Sequence, residues 1–140
     1  MKKKLFFIFC IVYCLYCLCV PFNIERAVNH LNNNALSKSK CCCAWFVMRA
    51  IQAGGIPIGI LPAWGYKYVL PFYGFANITD LEEAKVLKKG DVVVFPAVKG
   101  HPYGHIAMWN GEQWVSDFKQ KNIICAKAYK NCKYQLYRNS

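Results

Sequence analysis

Three adjacent cysteines, Cys41, Cys42 and Cys43, open the apolar stretch "CCCAWFVMRAIQAGG", and the segment "GHPYGHIAMWNGEQWVSDFKQ" further along carries His101, His105 and Asp117. A thiol, an imidazole and a carboxylate are the parts of a nucleophilic site. The sulfur attacks a carbonyl carbon, the imidazole moves the proton, and the acid orients the imidazole. A cysteine in the first turn of a helix lies among unpaired N–H groups at the positive end of the macrodipole, which is expected to depress the thiol pKa and raise the thiolate fraction. Helical facing selects among the three. Cys43 aligns with Val47, Ala50 and Ile51, the most apolar stripe, whereas Cys42 aligns with Phe46 and Arg49. Cys43 is the candidate nucleophile; the plain alternative is that all three cysteines are buried or bridged.

The base must be one of three histidines. His30 sits in a polar stretch beside Asn29 and Asn32 and reads as a surface residue. His101 precedes Pro102 in a glycine-bounded loop. His105 opens the alternating run "HIAMW", and a strand start holds a ring more accurately than a loop does. His105 is the candidate base, with His101 second. Asp117 is the candidate third member, and hairpin register decides its side. A three-residue loop, Asn110 to Glu112 with Gly111 left-handed, pairs His105 with Asp117. A two-residue turn, or a four-residue loop through Gln113, turns Asp117 away and puts Ser116 on that side; Gln120 is the remaining polar candidate. A metal site fits poorly. There is no C-x-x-C pair, contiguous cysteines cannot all wrap one zinc ion, and His101 and His105 straddle a proline and a glycine. Neither a metal nor an organic cofactor is expected.

The elements that must hold these residues follow from periodicity. Asn23 to Leu36 shows near-helical spacing of Ile24, Ala27, Val28, Leu31 and Ala35. "SKSK" breaks it and offers Ser37 or Ser39 as a helix-start signal. Ala44 to Ala53 is apolar almost throughout, which predicts a helix sunk in the core and stopped by Gly54-Gly55. Residues 56 to 80, rich in Gly, Pro and aromatics, read as an irregular connection, and Glu82 to Leu87 as a short helical turn. Strands are predicted at Val92–Phe95, His105–Trp109, Trp114–Phe118 and Tyr134–Tyr137. The predicted class is α+β, with helices first and an antiparallel sheet packed on the central helix.

The chain has 140 residues and a net charge of +11, a single-domain length. Residues 1–20, with Lys2 to Lys4 before an unbroken apolar run, read as a signal peptide with a cut after Cys19, or else as an uncleaved anchor. Residues 21–140 then form one domain of net charge +8, its lysines scattered. That pattern excludes a nucleic-acid arm and suits a basic surface or an anionic wall polymer. Five cysteines remain after the leader, Cys41, Cys42, Cys43, Cys125 and Cys132, an odd number in an oxidising compartment, so one thiol is left over.

The run Cys-Ala-x-Phe-Val-x-Arg-Ala-Ile-x-Ala-Gly-Gly (43–55), the Gly-Asp-Val-Val-Val strand, the 100–120 segment and the closing "YQLYR" resemble the CHAP-type cysteine peptidoglycan hydrolases of the papain-like amidase class. The likeness runs from Ala27 to Arg138 and is greatest to compact bacterial forms, including amidase effectors delivered between cells. It implies a papain-like fold with Cys43 as nucleophile, His105 as base and Asp117 as orienting residue. It also implies cleavage of amide bonds in bacterial peptidoglycan without a cofactor, by a secreted or periplasmic monomer that meets a membrane only through an uncleaved leader. If Cys43 stays reduced, the other four cysteines are free to pair, Cys125 with Cys132 most simply. The alternative is a non-catalytic wall-binding protein that keeps the fold with its cysteines in disulfides.

Overall fold

The computed structural model describes residues 21–140; residues 1–20, the expected leader, lie outside the described residues. Helix α1 spans Ile24–Asn34, and Asn23 caps it by accepting the Arg26 N–H at 2.9 Å. Its buried face is Ala27, Val28 and Leu31, the residues that carried the period. Helix α2 spans Cys43–Ala53. Neither Ser37 nor Ser39 caps it, contrary to expectation: Cys42 is the N-cap and its side chain makes no cap bond. The serine hydroxyl is used elsewhere, as described below.

The sheet has five antiparallel strands, β1 (Phe75–Asn77), β2 (Val92–Phe95), β3 (His105–Trp109), β4 (Trp114–Val115) and β5 (Gln135–Asn139), in the spatial order β1-β5-β2-β3-β4. Alternation along β2 and β3 divides the interior in two. Val92, Val94, Ile106 and Met108 face α1 and α2 and pack with Val47, Ala50 and Ile51. Val93, Phe95 and Ala107 face the other way, under Ile78, Trp114, Tyr129 and Leu136. The all-buried β2 is a central strand, which explains its run of valines.

Two sequence expectations are corrected and one, the short helical turn at Glu82, is sharpened. The 56–80 connection holds more order than its composition suggests: 3₁₀ turns at Ala63–Gly65 and Leu70–Tyr73, the short helix α3 (Tyr66–Val69), and β1. The Glu82 turn is 3₁₀, over Glu82–Lys85. The third predicted strand stops at Val115, because the chain folds back on itself there: Ser116 N–H donates to Phe118 O at 3.0 Å and Gln120 N–H to Trp114 O at 2.8 Å. Among the described residues no helix is long and apolar enough to cross a membrane.

Candidate active site

Cys43 is the first residue of α2, and its stripe faces the sheet as the period required. The backbone N–H groups of Ile106 and Ala44 lie close enough to its sulfur to favour the thiolate. Ile106 directly follows His105, so the sulfur lies against β3 one residue from the candidate base. The sulfur arrives from the helix side, whereas the His105 ring stacks on the other, 6.2 Å from Phe95 and 6.1 Å from Tyr129 between centroids. The two groups therefore lie on opposite faces of the sheet, at the same end of β3.

Burial sets the charge state of both. The thiol is pushed up to about 11, first by desolvation and against the lowering effect of the Ile106 and Ala44 N–H groups. The depressed pKa expected from the helix terminus is thus overturned: the donors are present, but loss of water outweighs them. Desolvation likewise pulls His105 down to about 4, against the Asp117 carboxylate, which acts to raise it. At neutral pH the pair is thiol and neutral imidazole.

His105 is buried, and its Nε2 lies 2.6 Å from Gln120 Nε2, itself a buried side chain. Gln120 Nε2 also donates to Ser116 Oγ at 3.1 Å, and Ser116 Oγ donates to Asp117 Oδ1 at 3.2 Å. Asp117 is completely buried yet makes no hydrogen bond to His105. Its Oδ2 accepts from Ser39 Oγ (3.1 Å), Lys40 N–H (2.7 Å) and Cys42 N–H (3.2 Å). The register gives the reason. β3 and β4 pair Trp109 with Trp114, so the loop is the four-residue one, Asn110 to Gln113, that turns Asp117 away. Asn110 Oδ1 builds that loop by accepting the N–H groups of Glu112 and Gln113.

Asp117 instead holds the segment leading into α2. Its backbone carbonyl accepts the Leu36 N–H at 2.8 Å while its carboxylate gathers the donors at residues 39, 40 and 42. Cys41, between two of those donors, has φ +59°, the one left-handed non-glycine among the described residues. Such backbone costs about 1–3 kcal/mol, and the flanking bonds to one carboxylate hold it. Gln120, the direct neighbour of the imidazole, was only an alternative in the sequence; its burial, not its type, marks it.

The remaining candidates lie apart from this network. His101 is exposed, its ring 5.2 Å from Tyr129. His30 is half-buried in α1, beside Trp45 and Arg49 in a separate cleft. All five described cysteines are free thiols, so the expected Cys125–Cys132 bridge is not formed. Cys125 is pushed up to about 11, first by burial and next by Cys43.

No family model matches the sequence, and no curated protein matches it. Two solved structures do. One is the native type VI effector–immunity complex Tae3–Tai3 from Ralstonia pickettii, with 32% identity and a TM-score of 0.76, covering 85% of this chain and all of that one. The selenomethionine form of the complex gives 34% identity and a TM-score of 0.72, with 80% and 98% covered. The mixed helix-and-sheet fold is thus shared with a protein of similar length and recognisably similar sequence. The chain belongs to the Tae3 family of type VI effectors.

Proposed function

We propose that the protein is a cysteine amidase acting on bacterial peptidoglycan, with Cys43 as nucleophile, His105 as general base and acid, and Gln120 as the group that orients the imidazole in a papain-like arrangement. The observation that carries this reading is the start of β3, where His105 is held by a buried carboxamide and the N–H of the next residue, Ile106, acts on the helix-opening sulfur of Cys43. Family membership and the motif resemblance support a wall substrate. In this reading the site of action is the periplasm of a recipient cell, and the natural antagonist is an immunity protein like the one in the Tae3–Tai3 complex.

Because Nε2 faces Gln120, Nδ1 is the nitrogen left to serve the sulfur. A base at Nδ1 needs its proton on Nε2, which Gln120 Oε1 accepts after a half-turn of the carboxamide; Ser116 Oγ then donates to that oxygen in place of Asp117 Oδ1. The Cys43 S–H proton then passes to Nδ1 as the sulfur bonds to the scissile carbonyl carbon. The Cys43 backbone N–H, free in the first helical turn, donates to the oxyanion. Nδ1–H protonates the leaving nitrogen as the C–N bond breaks, giving a thioester. Water attacks the thioester carbonyl, passing its proton to Nδ1, and the thiol leaves protonated. Asp117 takes part through position, as the anchor of the Cys43 segment.

The test is hydrolysis of purified sacculi followed by mass analysis of the released muropeptides. Cys43→Ala and His105→Ala are each expected to abolish release, a loss of at least ~10³-fold, while remaining folded. Retained hydrolysis by either variant removes the mechanism. Because the base is neutral His105, wild-type activity is expected to rise through about pH 4, well below the ordinary histidine range.

A further inference from the structure

A cavity of about 210 Å³ opens at the ends of β2 and β5, lined by Trp64, Lys67, Val94, Phe95, Pro96, Lys133 and Gln135. It lies at the same end of the sheet as the candidate site. Phe95 is the register partner of His105, and their rings lie 6.2 Å apart. The wall between them is tightly built. Gly104, with φ +69°, leaves no room for a Cβ, which would collide with the Phe95 carbonyl and lie 3.2 Å from Trp64 N. Trp64 N–H in turn donates to Tyr103 O at 3.2 Å.

The charged groups of this cavity are all cationic. Lys67 is half-buried, with its ammonium 4.8 Å from the Tyr68 ring centroid, and the exposed Lys133 also lines the cavity. Gln135 Oε1 accepts from the Tyr137 hydroxyl at 3.1 Å, a donor it shares with the Lys67 carbonyl at 3.3 Å, so its amide N–H₂ is the end available to donate. Two cations and an amide donor, with no carboxylate among the lining residues, make a site for an anion, and Trp64, Phe95 and Pro96 supply an apolar wall beside it.

We infer that this cavity is the subsite for a free carboxylate on the peptide flanking the scissile bond. The inference rests on the peptidoglycan reading above, since stem peptides carry carboxylates close to their amide bonds, and it adds the residues that select for them. A lysine pair beside an aromatic wall discriminates a carboxylate from its amide, because amidation removes the charge and leaves the shape.

The experiment compares two stem muropeptides differing only in whether that carboxylate is free or amidated. Binding to the Cys43→Ala protein is followed by calorimetry, and turnover by the wild type is followed separately. The free acid is expected to bind about tenfold more tightly than the amide. Lys67→Met and Lys133→Met are each expected to raise KM for the free acid by about tenfold at unchanged kcat, without further loss on the amide. Equal binding of acid and amide overturns the inference, as does unchanged KM in both variants. Binding is read without turnover, so a wild type that binds the acid selectively but cleaves nothing defeats the amidase reading and leaves the subsite standing.

Discussion

Two aspartates are buried in this molecule, at opposite ends of the sheet, and they are satisfied in opposite ways. Asp91, just before β2, is paired with Arg138 of β5: Nε donates to Oδ1 at 2.7 Å and Nη2 to Oδ2 at 2.6 Å, a two-pronged ion pair that Lys88 N–H completes. Among the described residues Asp117 has no cationic partner and is held by backbone N–H groups and hydroxyls alone. The first carboxylate joins two strands already paired by the ladder, since Val92 faces Tyr137. The second joins segments that no ladder connects: the lead-in to Cys43 and, through Ser116 and Gln120, the imidazole of His105. A carboxylate with a fixed counter-ion secures a fold. One that collects donors from several loops sets the relative position of groups that must cooperate.

The contrast is open to test. Asp91→Asn leaves the Arg138 guanidinium without its counter-charge and is expected to cost about 3–5 kcal/mol in denaturant unfolding. Activity per folded molecule should stay unchanged; a loss of activity in the folded fraction would erase the distinction between the two ends. Acid should act at the site end. His105 titrates at about 4 in the folded chain against an ordinary 6.5, so between those values the unfolded chain takes up a proton that the folded one refuses. Stability is therefore expected to fall as pH drops from 6.5 toward 4, by on the order of 2–3 kcal/mol. His105→Gln should remove that part of the slope, and an unchanged slope would argue against a buried neutral imidazole. Asp117→Asn should cost only about 1–2 kcal/mol of stability while slowing sacculus hydrolysis by roughly 10–100-fold. If stability falls more than activity, Asp117 belongs with Asp91 after all.

What the sequence revealed followed the strength of its periods. The Cys43, Val47, Ala50, Ile51 stripe and the valines of β2 were legible because each is dictated by one dominant contact, helix on sheet or a strand covered on both faces. β1 was not legible: three residues in a glycine- and aromatic-rich stretch carry no alternation, and pairing with β5 alone makes them a strand. The hairpin loop length was undecidable, since Asn110-Gly111 suits several turns and the choice was made by the Asn110 side chain, which also donates to Asn32 of α1 at 2.9 Å. Cys43 and His105 could be named as candidates by type and place, but their charge states could not be read, because burial is a property of the assembled fold. The same holds for Gln120 and for the true partners of Asp117.

Gly54 ends α2 with no space beside it: a Cβ there would run into the Phe22 ring, which also stacks on Phe75 at 5.2 Å, and Asn23 N–H donates to Gly54 O at 2.9 Å. The aromatic plug ahead of α1 thus closes the floor beneath α2. For anyone preparing shortened versions of the protein, residue 22 marks the deepest permissible trim, since cutting past it would uncork the helix at the end opposite Cys43.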